Sequence, residues 1–404
     1  MNSNQVICII TQSHLCRNPR VLKEAIALAN AGYQVNIITG IISCELYRQD
    51  LSLIKNCPNI RLTKVFDLSL PSLLSFIDRL LNKLGRLLVS KFKIENSMSL
   101  GYGTSHYYKK AKNIKADLFI CHQELATYIG TKLIKAGFKV AFDLEDWYSE
   151  DLLPAARAER PINLLQTTES VALNKGVFCI TTSKALAKKL SQTYKCPIPT
   201  AVYNVFPSPD VDLNKPKGFS NPLKLFWFSQ TIGTGRGLEQ FINISKGFKN
   251  SVEIHLLGNI TPQYKELLNS ILPAQHKLYF HELVEESKLA AKIASFDIGL
   301  ALELDSPMSR NYTITNKFFQ YIQSGLPVIA SETAGQIEGF EQFKPGYLLP
   351  QQPLAMDISK LEQWLNNATA LQTARGKAIE MAGIFNWENE SKKLLNSINE
   401  ALEK

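Results

Sequence analysis

Twice along this chain the same order recurs: a short β-rich apolar run, a loop, an amphipathic helix and a second apolar run. Val6 to Ile10 is followed by Asn18-Pro19-Arg20, a helical stretch from Val21 to Asn30, Gly32 and the run Val35 to Thr39. Leu225 to Phe228 restarts the pattern, with the loop Ser229 to Leu238 entering a helix before Val252 to Leu257. Such units bury both faces of their strands only in a parallel, doubly wound α/β sheet. Between the two starts lies Ser208 to Asn221, rich in proline, lysine and glycine, which has the composition of a linker. At 404 residues the chain is long enough for two cores. The expected division is 1–206, a linker at 207–221, 222–385, and a closing helix at 386–404.

Composition narrows the partners. The formal charge of +9 points to anions: a nucleotide diphosphate, an anionic lipid or a nucleic acid. Nucleic acid ranks last and no such partner is expected, because no arginine-rich tail or aromatic–basic interleaving occurs. The seven cysteines, Cys8 to Cys196, are odd in number and form no CxxC, so neither a disulfide framework nor a zinc site is indicated. That usage fits a reducing cytoplasm. Met1 to Asn4 lacks a basic leader, and no apolar run reaches about 18 residues, so neither a signal peptide nor a membrane span is expected.

The stretch Thr313 to Ser331, TITNKFFQYIQSGLPVIAS, is the most informative part of the second half. Thr315 and Asn316 can accept from free N–H groups at a helix start. Phe318, Phe319, Tyr321 and Ile322 recur at helical spacing, Gly325 stops the helix, and Leu326 to Ala330 reads as a short buried strand. A helix start beside strand ends is a corner that favours a phosphate. The loop Gly233-Thr234-Gly235-Arg236-Gly237 supplies glycines that let backbone approach a phosphate, and a guanidinium that can hold two of its oxygens. Lys317 is the second candidate cation.

In the first half, Ala116 to His122 is a strand ending in a histidine. Strand carboxyl ends are where open α/β sheets bind ligands. Val140 to Asp151 carries five acids in twelve residues, and reads either as an acidic cluster at a strand end or as an exposed acidic turn. A metal site of the Asp-x-Asp kind is not expected, since no second ligand cluster is visible. His14 and Arg20 either face the ligand or serve helix capping and the surface.

Asn316-Lys317-x-Phe319-x-Tyr321 followed by Ser324-Gly325-Leu326-Pro327-Val328 resembles the donor-site helix of retaining nucleotide-sugar glycosyltransferases of family 4. That resemblance implies the GT-B architecture: two facing Rossmann-like domains with an interdomain cleft, and a closing helix, 386–404, that crosses back towards the first domain. NPRVLKEAIALANAGYQVNIIT is similar to the family's opening unit, although the first loop, TQSHLCRN, lacks the family's glycine pair. The resemblance implies that His122 contacts the donor sugar and that Ser229, Gly233, Gly235, Arg236 and Gly258 form the donor-diphosphate loop. It also places His281 at the nucleotide base and Thr315, Asn316 and Lys317 at the diphosphate. Where the family has Asp-x-His-Glu, this chain has Asp143-Leu144-Glu145-Asp146. A carboxylate there, Glu145 or Asp146, can orient an acceptor hydroxyl or act as base in an inverting reaction. Tyr312 and Gln320 stand at the family's two glutamates, leaving Gln320 to meet the ribose uncharged. Glu303 is the nearest compensating carboxylate, and Glu338 lies near the ribose or on plain surface.

The implied function is transfer of a sugar from a nucleoside-diphosphate sugar to a hydroxyl acceptor: a glycan, a lipid-linked glycan or a small molecule. Retention is the expected outcome, with no cofactor beyond the co-substrate and no metal. The alternatives are a catalytically silent GT-B subunit that binds a partner and, further off, a sugar-nucleotide epimerase.

One stretch fits no standard connection. From Leu70 to Lys93, apolar residues at Leu70, Leu73, Leu74, Ile77, Leu80, Leu81, Leu84, Leu87 and Leu88 form a continuous helical stripe, with Asp78, Arg79, Asn82, Lys83 and Arg86 away from it and Lys91 and Lys93 following. The bland expectation is a helix that packs this stripe on its own domain. The other is peripheral contact of 70–93 with the inner face of a membrane.

Overall fold

The computed structural model describes residues 5–209, 212–213 and 217–403. It divides into two units: one runs to Val202 and resumes at Ser391, and the other spans Tyr203–Glu390. Part of the predicted linker, residues 210–211 and 214–216, lies outside the described residues. The described remainder of 207–221 is without helix or strand.

The first unit is built on seven strands: β1 (Val6–Ile10), β2 (Gln34–Ile41), β3 (Ile60–Asp67), β4 (Leu118–His122), β5 (Val140–Leu144), β6 (Cys179–Thr181) and β7 (Thr200–Ala201). Their order is β3-β2-β1-β4-β5-β6-β7, and all six pairings are parallel. Ile7, Ile9, Ile37, Phe119 and Phe142 are fully buried, as expected of strands covered on both faces. The first helix, Pro19–Asn30, starts where proline costs nothing, and Asn18 caps it by accepting from the Val21 amide.

The second unit holds six strands: β8 (Leu223–Ile232), β9 (Val252–Ile260), β10 (Lys277–His281), β11 (Ile298–Ala301), β12 (Val328–Ser331) and β13 (Gly346–Leu349). Their order is β10-β9-β8-β11-β12-β13, again parallel throughout. Trp227, Phe241, Ile254 and Ile298 are among its core residues. In both sheets the chain order reverses beside the first strand, between β1 and β4 and between β8 and β11. Ligands of open α/β sheets bind at such switch points, outside the carboxyl ends of the strands.

Two expectations are corrected here. Strand β8 extends to Ile232, so Ser229 is a strand residue at a bulge opposite β9 and the glycine loop begins only at Gly233. The helix predicted over 70–93 forms over Leu73–Phe92, but it does not pack its apolar stripe. Its buried residues are Ser75, Asp78, Asn82, Gly85 and Val89, and the leucines face outward.

Candidate functional site

At the switch point of the second sheet, β8 runs into Gly233–Gly237 and β11 runs into Glu303. Gly235, at φ 72°, takes the left-handed conformation that side chains resist. A Cβ at Gly233 or Gly235 would meet nothing within 4 Å, so the loop faces open space. Arg310 donates from Nη1 to the Gly235 carbonyl at 2.9 Å and fixes the loop from behind. Gly258 approaches from β9, where a Cβ would lie 2.2 Å from the Ser229 carbonyl oxygen, so no side chain fits.

Three charged side chains converge there. Lys317 Nζ and Arg236 Nη1 lie 3.8 and 3.7 Å from the same Glu303 oxygen, Oε1. The other Glu303 oxygen is buried and has no hydrogen-bond partner. Burial first, then Arg236 and Arg310, hold Lys317 below the usual lysine pKa, against the pull of Glu303. Lys317 also sits over the Trp227 ring, 5.3 Å from its centroid. It is the second residue of the helix Asn316–Gln323, whose start Thr315 caps by accepting from the Phe318 amide at 3.3 Å. Two cations, a loop open to the outside and a helix start thus meet one buried carboxylate, an arrangement suited to a doubly charged oxyanion.

At the switch point of the first sheet the carboxyl end of β4 is filled by a buried ionic network. His122 Nδ1 lies 3.1 Å from Glu145 Oε1, and Nε2 lies 3.0 Å from Glu24 Oε2, an ion contact without hydrogen-bond alignment. Arg20 grips Asp143 through Nε and Nη2 and donates from Nη1 to the Val202 carbonyl at 3.0 Å. Burial alone would push His122 down, but Glu24 and Glu145 raise its pKa to about 10, so the ring is an imidazolium. Burial raises Glu24 to about 7, and the same effect, with Asp151 and Glu145, raises Asp146 to about 7. Asp143 goes the other way: burial would raise it, but Arg20 and His122 hold it below its ordinary value.

Glu24, His122 and Asp143 bring one ligand atom each within 4.8 Å of one another, close enough to frame a metal. The chemistry of the set opposes it. The Arg20 guanidinium already neutralises Asp143, and a metal would have to displace the proton that Glu24 and Glu145 hold on His122.

Gln123 follows His122 in the left-handed conformation, φ 69°, which costs a side-chain-bearing residue energy. Its amide accepts from Thr11 Oγ1 and the Gln12 amide at 3.1 and 3.0 Å and donates to Ser13 Oγ at 2.7 Å. The glycine-free first loop is therefore tied to β4 by side chains. Nothing in the sequence pattern singled out Gln123, Glu24 or Gln12, because their partners lie about a hundred residues away.

No protein-family model and no curated protein matches this sequence. Solved structures match its fold. Sucrose-phosphate synthase from Thermosynechococcus elongatus aligns at a TM-score of 0.71 and 16% identity, over 98% of each chain. Anabaena HepE in complex with UDP gives 0.65 and 14%, over 98% of this chain and all of that one. TarM gives 0.68 and 11%, over 98% of this chain and 99% of that one. The fold is GT-B. Identities this low carry the architecture and leave the chemistry to the residues.

Within this GT-B chain the predicted residues fall into two groups. Arg236, Lys317, Thr315, Gly233, Gly235 and Gly258 meet at the second switch point. His122, Glu145 and Asp146 meet at the first, with His122 fully buried and the two acids half-buried. Asp143 and its neighbours are not an exposed acidic turn, because Arg20 and His122 draw them inward. His14 and Arg20 are likewise buried, at 2% and 1% exposure, so neither meets a ligand directly. His14 Nδ1 contacts Asp50 at 2.6 Å, and its Nε2 accepts from the Ile42 amide. Asn316 caps nothing: its side chain accepts from Asn204 Nδ2 at 3.0 Å. Glu303, the compensating carboxylate of the sequence, pairs with the two cations. Gln320 lies one turn beyond Lys317 and lines a cavity of about 340 Å³ with Phe206, Glu286 and Ser287. His281 stacks on His255, centroids 5.2 Å apart, with 3.0 Å between their facing nitrogens.

Proposed function

We propose that the protein is a glycosyltransferase that moves a sugar from a nucleoside-diphosphate sugar to a hydroxyl acceptor, with retention and without a metal. The observation that carries this reading is the pair Arg236 and Lys317, set on one buried carboxylate beside an open glycine loop and a helix start. Departure of a nucleoside diphosphate needs fixed positive charge where negative charge grows, and these groups supply it without an ion. The names of the structural neighbours support the reading, since one is a glycosyltransferase from Rickettsia africae and HepE was solved with UDP.

In this scheme the bond from the anomeric carbon to the diphosphate oxygen breaks as the acceptor oxygen bonds to that carbon from the same face. The acceptor proton passes to the departing phosphate. Gln320 meets the ribose hydroxyls, accepting from one and donating to another. Ser229 and the backbone near His281 complete the donor pocket. Glu145 and Asp146 orient the acceptor, and buried His122 is a positioning residue that holds Glu145. The acceptor is a glycan, a lipid-linked glycan or a small molecule, and the site of action is the cytoplasm.

The test is thermal stabilisation by a panel of UDP-, GDP- and ADP-sugars without metal. One nucleotide class should raise the melting temperature, and Arg236→Ala should abolish the rise while leaving the unliganded protein intact. No shift with any donor at millimolar concentration would remove the main support for the enzyme.

A further inference from the structure

The Leu73–Phe92 helix presents its apolar side to the outside. Leu73, Leu74, Phe76, Leu80, Leu84 and Leu87 are all exposed, and exposure along this face runs from 39% at Ile77 to 74% at Leu73. The orientation is fixed from the opposite side. Asn82 Nδ2 donates to the Met98 carbonyl at 2.7 Å, and Asn96 Nδ2 donates to the Gly85 carbonyl at 3.0 Å. A Cβ on Gly85 would lie 2.8 Å from Met98 Cβ, so the helix seats directly on that segment. Turning the leucines inward would bury them only by expelling Asp78 and Asn82 from these seats. A soluble monomer rarely leaves so continuous an apolar face uncovered.

Charge says what covers it. At 3.6 residues per turn, Arg79, Lys83 and Arg86 fall along one edge of the apolar arc, between it and the buried stripe. Lys91 and Lys93 stand exposed at the far end. The helix has one acid, Asp78, and it is buried, so the outward surface carries cations alone. A second copy of this face would bring like charges together, whereas an anionic bilayer offers hydrocarbon to the leucines and headgroups to the basic edge.

We propose that the Leu73–Phe92 helix is a membrane-docking surface that lies in the interface of an anionic bilayer. It spans nothing: among the described residues, no helix is long and apolar enough to cross a membrane. The proposal goes beyond sugar transfer and stands on different residues, so donor binding and membrane binding can fail separately.

The experiment is flotation of the full chain with phosphatidylcholine vesicles, plain or with about one-third phosphatidylglycerol. The protein should float with the anionic vesicles and bind the plain ones at least tenfold less. Leu80→Ser with Leu84→Ser should weaken anionic binding at least tenfold, while Leu267→Ser, an exposed leucine elsewhere, leaves it unchanged. Lys83→Glu with Arg86→Glu should erase the lipid preference. Since all four residues are exposed, unchanged melting temperatures will show that the variants fold. Absence of flotation, or flotation untouched by the leucine pair, overturns the proposal. A dimer in solution that the leucine pair dissociates also overturns it, because a second copy then covers the face.

Discussion

His122 Nε2 rests 3.0 Å from Glu24 Oε2, and neither side chain reaches the surface. Both groups bind protons more tightly in the folded chain, His122 at about 10 against 6.5 and Glu24 at about 7 against 4.5. Stability linked to them is greatest in acid and falls as pH rises, through Glu24 up to about 7 and through His122 from 6.5 to about 10. The melting temperature should therefore drop between neutral pH and pH 10. His122→Gln should flatten that slope and cost about 3–5 kcal/mol at neutral pH, because it leaves buried carboxylates without their cation. Denaturant midpoints across the pH range measure both effects.

Gln123 separates two costs that usually travel together. Gln123→Ala keeps the left-handed backbone and loses the bonds to Thr11, Gln12 and Ser13. Gln123→Gly loses the same bonds and relieves the strain. Glycine should therefore be the milder change, by about 1 kcal/mol in urea unfolding.

Lys317→Met should abolish stabilisation by nucleotide sugars. It should also destabilise the free protein by about 1–3 kcal/mol, because Glu303 is left buried beside a lone, loosely held Arg236. Since the Lys317 pKa is lowered, donor affinity of the natural protein should decline at a lower pH than an ordinary lysine would allow. A titration of donor binding against pH reads this directly.

At Gln320 the expected direction is a gain. In the proposed donor site Gln320→Glu would give the ribose a charged acceptor, and a hydrogen bond to a charged group is worth about 1.5–3 kcal/mol. Donor binding should tighten roughly tenfold, and Gln320→Leu should weaken it, by calorimetry.

Gly258→Ala has no accommodating rotamer, since the clash is with the Ser229 backbone and the φ is 148°. A loss of about 1–3 kcal/mol is expected, with weaker donor binding because the loop above it shifts.

The alternation of apolar runs and helices made both sheets legible in the sequence, because parallel strands covered on both faces must be apolar throughout. The corner at the second switch point was legible too, as Gly235 and Arg236 lie in one glycine loop and Thr315 and Lys317 at one helix start. The first-unit network was not. Arg20 and Asp143 are 123 positions apart, and acids whose cations arrive from a distant helix look like a solvated turn. Helical periodicity announced the apolar stripe of 73–92 but not the direction it faces. That direction is set by Asn82 and Asn96 reaching across a loop, which no period records.

The first unit resumes at Ser391, and Tyr33 Oη donates to Asn399 at 2.5 Å while Lys139 Nζ reaches the Ala401 carbonyl at 3.1 Å. On the ribosome the seven strands of this unit emerge long before those partners do. The nascent sheet must wait, one flank unfinished, while the whole second unit is translated. This unit is thus finished only after the second one has been made, and a stop codon just before Ser391 would strip its sheet of those partners.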